Sequence, residues 1–179
     1  MKYILWIVIL CIPLTFCRRG INDMPGYTVI IPDSVSSNDS VPDIYTVSSS
    51  FKRLVVTRFK HGTDMLDGLK KTVISEGIKN AVITSGIGSV YRYHIHSVDN
   101  DTFPAINVFV KKDDPMDILS VNGYVLNERV HAHISLSNEE YAIGGHLEPD
   151  TRIFTFCIIT LGVLEDDLLL ERFDDTTLR

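Results

Sequence analysis

From residue 51 onward, short runs of β-branched and aromatic residues are separated by turn-forming residues. Runs in which apolar and polar positions alternate predict strands. We expect strands in FKRLVVTRF, AVITSGIGSV, YRYHIHSV, INVFVKK, DILSVNGYVLN, VHAHISLS, YAIGGH and RIFTFCIITLG, and a further strand in DLLLERF. Within the second run, Gly86 to Val90 lacks the third glycine and the following helix of a dinucleotide-binding loop, so this stretch predicts a tight turn.

One segment after the first strand has a helical period instead. Apolar residues recur there every three or four positions, at Met65, Leu66, Leu69, Val73 and Ile74. Thr63 is suited to cap the start of this helix, and Gly77 is suited to end it. One helix against many strands predicts an α+β fold with a mainly antiparallel sheet or partial barrel.

The N-terminus has a different pattern, a continuous apolar run from Tyr3 to Phe16. A membrane-spanning helix needs about twenty apolar residues, so this run has the length of a signal-peptide core. The motif LTFC, which ends at Cys17, resembles the lipobox of bacterial lipoproteins, although Phe16 is larger than the usual residue and two arginines follow. Residues 1–17 therefore predict export to the cell envelope, with Cys17 as the lipidation site. The alternatives are an uncleaved anchor, or a misplaced start codon ahead of a cytoplasmic domain.

The remainder of the chain divides into a linker and a single domain. Residues 18–50 are rich in Ser, Asp, Pro and Asn and have no regular period, which is typical of a flexible linker. Residues 51–179 are expected to form one domain, because a chain of 179 residues with 45% hydrophobic residues suffices for one well-packed core. Cys157 lies in an apolar run and is expected to be buried and unreactive.

The net charge of the chain is −6, which makes it a poor electrostatic partner for nucleic-acid phosphates. A local basic face would have to come from residues such as Arg53, Arg58, Lys70 and Lys71. Charges of this kind usually form an ordinary solvated surface. DNA binding is therefore an alternative function rather than the first one.

Three of the six histidines lie in one short segment, HAHISLSNEEYAIGGH. Side chains alternate between faces along a strand, so His131 and His133 point the same way. A turn at residues 137–140 places His131 opposite His146 and His133 opposite Gly144, so that all three imidazoles share one face. A three-residue loop would reverse the face of His146. Three converging neutral imidazoles suit Zn²⁺ with a fourth position open to water or a ligand.

His94 and His96 form a second pair of histidines on one face of a predicted strand, and Arg92 lies on that same face. No third ligand is expected near this pair, and a cation is a poor neighbour for a metal, so we interpret both as surface or interface residues. Glu148 follows His146 by two positions and is the candidate general base if a metal-bound water is activated. The alternative for Glu148 is an ordinary surface carboxylate.

The motifs of the domain resemble, in order, those of the PPC (plants and prokaryotes conserved) domain family. They are HGTDMLDGLKK, ITSGIGSV, PMDILSVNGYV, HAHISLSNEEYAIGGHLEPDTRIFTF and LLLERFDDTTL. The resemblance implies a compact α+β domain that assembles as a homotrimer and carries one divalent metal per subunit, usually zinc. Carried over to this chain, the metal ligands are His131, His133 and His146. The family often has a glutamate at the position that Cys157 occupies here.

The family is known as DNA-binding through plant members, which add an AT-hook that this chain lacks. We therefore expect a trimeric zinc-binding module in the cell envelope that binds a small molecule or a protein partner. DNA binding is the first alternative, and a zinc-dependent hydrolase with Glu148 as general base is the second.

Overall fold

A computed structural model describes residues 27–30, 44–102 and 104–174. In chain order the elements are β1 (Tyr27–Ile30), β2 (Arg53–Lys60), α1 (Met65–Ser75), β3 (Ala81–Val98), β4 (Asn107–Leu126), β5 (Arg129–Ser137), β6 (Ala142–Leu147), β7 (Arg152–Val163) and a 3-10 helix (Glu171–Asp174). The pairings between these strands are antiparallel. The predicted α+β class with a mainly antiparallel sheet is confirmed.

The sheet closes partly on itself. Its strand order is β1-β4-β5-β6-β3-β7-β2, and β3 also pairs with β4. Strands β3, β4, β5 and β6 therefore form a ring, while β7 and β2 extend the sheet beyond β3. This ring is the partial barrel that the sequence predicts, and its closure between β6 and β3 rests on the pairs Ile95–Leu147 and His96–His146.

Strands β3 and β4 are much longer than the runs from which they were predicted. The prediction of a tight turn at Gly86 to Val90 is wrong, because this stretch lies inside β3. The glycines there permit close packing instead of a reversal. Gly88 has φ +147°, and a Cβ at this position would lie 2.1 Å from the carbonyl oxygen of Phe156 in β7. Irregularities of register near Gly88 accompany this close approach.

Helix α1 packs against β2, where Gly68 lies against the ring of Phe59. Its N-cap is Asp64, whose carboxylate accepts a hydrogen bond from the backbone N–H of Asp67. The expectation that Thr63 caps the helix is therefore wrong by one residue, because the helix begins at Met65 and the residue before it is Asp64. Gly77 follows the helix with φ +60°, as its predicted role at the end requires.

The main core combines buried side chains of the ring strands with those of α1, β2 and β7. Its fully buried side chains include Leu69, Tyr93, Ile95, Ile134, Leu136, Leu147 and Ile159. Cys157 belongs to this core, and burial raises the pKa of its thiol to about 12. The expectation of a buried, unreactive cysteine is confirmed, since the thiolate is the reactive form.

The segment after β7 is not a strand, so the strand predicted in DLLLERF is wrong. Its backbone carbonyls at Glu165 and Leu168 accept hydrogen bonds from the buried side chain of Asn80 instead of from a neighbouring strand. Leu170 then packs with Leu126 and Leu164 in a second, smaller apolar cluster.

Towards the N-terminus, the segment predicted as a linker contributes β1, which pairs with residues 107–110 of β4. The predicted signal segment, residues 1–17, and the lipidation site at Cys17 lie outside the described residues. Within the described residues, no helix has both the length and the apolar character that crossing a bilayer requires.

Candidate metal centre

The hairpin of β5 and β6 turns one residue later along the chain than the sequence predicted. Residues 138–141 form the loop, and the backbone N–H groups of Glu140 and Tyr141 both donate to the side-chain oxygen of Asn138. The strands are consequently shifted by two positions, and His146 lies opposite His133 instead of His131. Because a shift by an even number of residues keeps each side chain on its face, His146 still joins the two other histidines.

The three histidines of the hairpin lie together on the outer face of the sheet. The ring centroids of His131 and His146 are 4.8 Å apart, and those of His133 and His146 are 5.4 Å apart. The rings of His131 and His133 are stacked with centroids at 5.5 Å. The strand alternation that predicted one shared face is therefore realised in the structure.

A fourth imidazole, that of His96, completes the group. His96 pairs with His146 across β3 and β6, and the two rings are stacked with centroids 4.4 Å apart. The interpretation of His96 as a surface residue without nearby ligands is wrong, because the closure of the sheet brings β3 beside β6. His94 lies outside the group, with its Nδ1 2.8 Å from the carbonyl oxygen of Pro149.

Gly145 explains how β3 and β6 approach so closely. A Cβ on Gly145 would lie 2.5 Å from the carbonyl oxygen of His96, closer than any side chain tolerates. Gly144, which was predicted to lie opposite His133, instead lies opposite Ser135. The Gly-Gly pair therefore serves the group by admitting His96.

Glu148 supplies a carboxylate to the same group. Its Oε1 lies 2.6 Å from Nδ1 of His96 and 3.4 Å from Nδ1 of His146. The candidate general base is thus in hydrogen-bond contact with an imidazole. We call His96, His131, His133, His146 and Glu148 the histidine cluster.

The environment of His146 keeps its ring neutral. Burial lowers the pKa of His146 to about 4, and the neighbouring rings of His96 and His131 act in the same direction. Burial, followed by the neighbouring rings of His131 and His96, also lowers the pKa of His133. Neutral imidazole is the form that ligates metals, so His133 and His146 are held in their ligand form at neutral pH.

The nitrogen atom Nδ1 of His146 is buried and has no hydrogen-bond partner within the part of the chain that the structure describes. Leaving such a group unpaired costs about 1–3 kcal/mol. Nδ1 lies in a group of possible ligand atoms from His96, His146 and Glu148, which are all within 4.8 Å of one another. Two imidazoles and one carboxylate are a donor set that Zn²⁺ and other divalent transition metals accept, so these residues fit a metal ion.

Charged residues around the cluster are paired with one another. The guanidinium group of Arg92 binds Asp113 and lies 3.2 Å from Asp150, and Lys111 lies 2.6 Å from the same Asp150 carboxylate. The positive charge of Arg92, which argued against metal binding by the nearby histidines in the sequence, is therefore compensated by the carboxylates of Asp113 and Asp150. On the other side, the ring of Phe109 packs on His96 with centroids 4.9 Å apart.

A family model described as the Plants and Prokaryotes Conserved (PCC) domain matches residues 46–165. The chain belongs to this family. The resemblance inferred from the sequence motifs is thereby confirmed, and the matched range contains the ring of strands, the helix and the whole histidine cluster. No curated protein is detectably similar to the chain.

Solved structures resemble this PCC domain over most of their own length. A plant- and prokaryote-conserved protein from Pyrococcus horikoshii is 26% identical, with a TM-score of 0.56, over 68% of this chain and 85% of that chain. A metal-containing protein from Archaeoglobus fulgidus is 21% identical, with a TM-score of 0.58, over 68% and 86% of the two chains. A candidate DNA-binding protein from Bacteroides thetaiotaomicron is 18% identical, with a TM-score of 0.52, over 64% and 83%.

Proposed function

We propose that this PCC domain binds one divalent metal ion per chain, zinc, in the histidine cluster, and that it acts as a metal-dependent binding module. The observation that carries the proposal is the buried Nδ1 of His146, which makes no hydrogen bond within the described residues and lies beside the possible ligand atoms of His96 and Glu148. A metal ion would satisfy this nitrogen, and the neutral state of the ring prepares it for ligation.

Two donor sets meet at His146. The first consists of His96, His146 and Glu148, whose ligand atoms lie within 4.8 Å of one another. The second consists of His131, His133 and His146, whose ring centroids lie 4.8 to 5.5 Å apart. Glu148 has a place in both arrangements, as a ligand in the first and as a carboxylate that orients His146 in the second. A structural relative that is named as metal-containing is consistent with either set.

Metal analysis of the purified full chain tests the proposal. We expect about one zinc ion per chain in the wild type, none in His146→Ala, and an unchanged content in His61→Ala, which removes an exposed histidine outside the cluster. A metal-free wild type, prepared without chelator and after zinc addition, would refute the proposal.

The same measurement separates the two donor sets. Zinc lost in His96→Ala but kept in His133→Ala assigns the ion to the first set, and the opposite result assigns it to the second. Removing an outer carboxylate typically weakens metal affinity about 10- to 100-fold, whereas removing a ligand has a larger effect, so Glu148→Gln distinguishes the two roles of Glu148.

Binding is favoured over hydrolysis by the position of Glu148. A general base must reach the proton that it abstracts, whereas the Glu148 carboxylate is within 2.6 Å of the His96 ring and is mostly buried. Hydrolysis of ester or amide substrates by the zinc-loaded chain, lost in Glu148→Gln with zinc retained, would establish the enzymatic alternative instead.

We also propose that the domain assembles as a homotrimer through the outer face of β2 and β7. Leu54 and Val56 of β2 are 62% and 67% exposed, and Phe154 and Phe156 add exposed rings on the adjacent β7. An apolar patch on a terminal strand is typical of a protein–protein contact. Light scattering after gel filtration should give a trimer for the wild type and a monomer for Val56→Lys. Leu169→Lys, at a comparably exposed residue outside the sheet, is the matched control.

For the N-terminus we propose attachment to the cell envelope, on the sequence pattern of residues 1–17 alone. Detergent partitioning of the expressed chain, together with labelled-lipid incorporation and Cys17→Ser as control, tests this proposal. A wild-type chain found only in the aqueous phase would contradict it.

DNA binding is the second candidate, and the name of the Bacteroides thetaiotaomicron structure is what favours it. Two of the basic residues that would contribute are already engaged, since Arg53 lies 2.9 Å from Glu76 and Arg58 stacks over Phe156. A gel-shift assay at low salt decides, because phosphate contacts weaken steeply as salt rises. Binding that persists at low salt and falls with added salt would favour DNA as the partner.

A further inference from the structure

A cavity of about 600 Å³ lies beside the histidine cluster. Its lining is mostly apolar, with Phe51, Leu126, Leu164, Leu170 and Phe173 among the lining residues and His131 as the imidazole in the wall. Binding pockets for small molecules typically have volumes of about 300–1,000 Å³ and similar apolar walls with a few polar groups. The cavity therefore has the size and the lining of a small-molecule site.

The walls of the cavity are fixed by contacts outside the main core. The rings of Tyr45 and Phe173 lie 5.0 Å apart, which joins the segment before β2 to the 3-10 helix. Nζ of Lys52 lies 2.9 Å from the carboxylate of Asp166. Asn80, which is fully buried, donates hydrogen bonds to two carbonyl groups of the segment after β7. The segment before β2 and the segment after β7 are thus held in place on either side of the cavity.

His131 lies between the cavity and the cluster. Its cross-strand partner in β4 is Tyr124, which also lines the cavity, while its ring centroid is 4.8 Å from that of His146. A molecule in the cavity can therefore present one polar end towards the cluster. The opposite end must be uncharged, because burying an unpaired charge among these apolar side chains is strongly unfavourable.

We infer that this cavity binds a small amphiphilic carboxylate, with its apolar chain against Leu126, Leu164 and Leu170 and its carboxylate at His131. The inference rests on the proposed metal site with the donor set of His131, His133 and His146, because a carboxylate oxygen is a suitable ligand for the remaining position of a divalent ion held by imidazoles.

Calorimetric titration of the zinc-loaded full chain with decanoate and with 1-decanol tests the inference. We expect one decanoate per chain, bound about tenfold more tightly than 1-decanol because the charged head group makes the stronger polar contact. Ser49→Trp, at an exposed position of the cavity wall, should fill the mouth and weaken decanoate binding about tenfold or more. Leu119→Trp, at an exposed residue outside the cavity, should leave binding unchanged.

Each outcome decides one point. Absence of decanoate binding, or binding that Ser49→Trp does not weaken while zinc is retained, overturns the cavity as the site. Equal binding of decanoate and 1-decanol overturns the assignment of the carboxylate to His131. If the wild type holds no zinc but still prefers decanoate, with the preference lost in His131→Ala, the metal proposal fails while the cavity site stands, with the imidazole itself as the head-group partner.

Discussion

The lowered pKa of His146 predicts how the stability of the metal-free chain depends on pH. In the folded state burial lowers the pKa of this ring to about 4, whereas in the unfolded chain it is close to 6.5. Above pH 6.5 the ring is neutral in both states and has no effect on the pH dependence. As pH falls from 6.5 towards 4, the unfolded state takes up a proton that the folded state resists, so stability is lost in this window.

The size of the effect follows from the same two pKa values. At pH 5 the full difference corresponds to about 2 kcal/mol, at 1.36 kcal/mol per pH unit. The side chain of His146 is 25% exposed, and solvent screening weakens the interaction, so we expect roughly half of this value, about 1 kcal/mol. The perturbation that isolates it is His146→Gln, which keeps a polar side chain of similar size but does not titrate.

Urea unfolding of the chelator-treated full chain, at pH 7.5 and at pH 5.0, gives the comparison. The wild type should lose about 1 kcal/mol more than His146→Gln between the two pH values. Equal losses would show that His146 is not desolvated in the fold, and a smaller loss in the wild type would show that its pKa is raised. Either result would refute the argument that the ring is held neutral for ligation.

Two further substitutions test how the cluster and the cavity are held. Gly145→Ala should destabilise the chain by about 1–3 kcal/mol and lower its zinc affinity, because its Cβ would lie 2.5 Å from the carbonyl oxygen of His96. Ser97→Ala, at an exposed residue of β3, is the control and should change neither quantity. Unchanged unfolding and metal content in Gly145→Ala would contradict the close approach of β3 and β6. Asn80→Ala should lower the free energy of unfolding in urea by about 2–3 kcal/mol, because it leaves two carbonyl groups and the N–H of Asn127 without their partner. Asn122→Ala, at an exposed asparagine, is the control. Equal stability of the two variants would show that Asn80 does not hold the segment after β7 in place.

Sequence periodicity was sufficient for those features that depend on local geometry. Alternation along a strand put His131 and His133 on one face, and the even spacing across the hairpin placed His146 with them although the predicted register was two positions off. The error came from Asn138, whose side-chain oxygen accepts hydrogen bonds from two backbone N–H groups of the loop, which lies one residue later than predicted. Such a side-chain contact changes the pairing without changing the face, which is why the prediction that the three histidines share one face is correct.

The role of the glycines was harder to predict, because glycine permits both turns and close packing. Gly88 is inside a strand, where it admits the backbone of β7, and Gly145 admits the carbonyl group of His96. Which use applies depends on what lies opposite the glycine, and that partner comes from a distant part of the chain. The strand predicted in DLLLERF is wrong for a similar reason, since the carbonyl groups of Glu165, just before it, and of Leu168, within it, accept hydrogen bonds from Asn80 in the loop before β3.

The sequence by itself determined the α+β class, the family and the shared face of the three hairpin histidines, because each depends on local spacing or on contiguous motifs. Only the tertiary structure decided that His96 joins the cluster and that Glu148 contacts its ring, since the ring of strands must close before β3 lies beside β6. The cavity at His131 likewise exists only when both flanks of the domain pack over the sheet. Contacts between distant segments are set by packing and desolvation of the whole fold, and no local period records them.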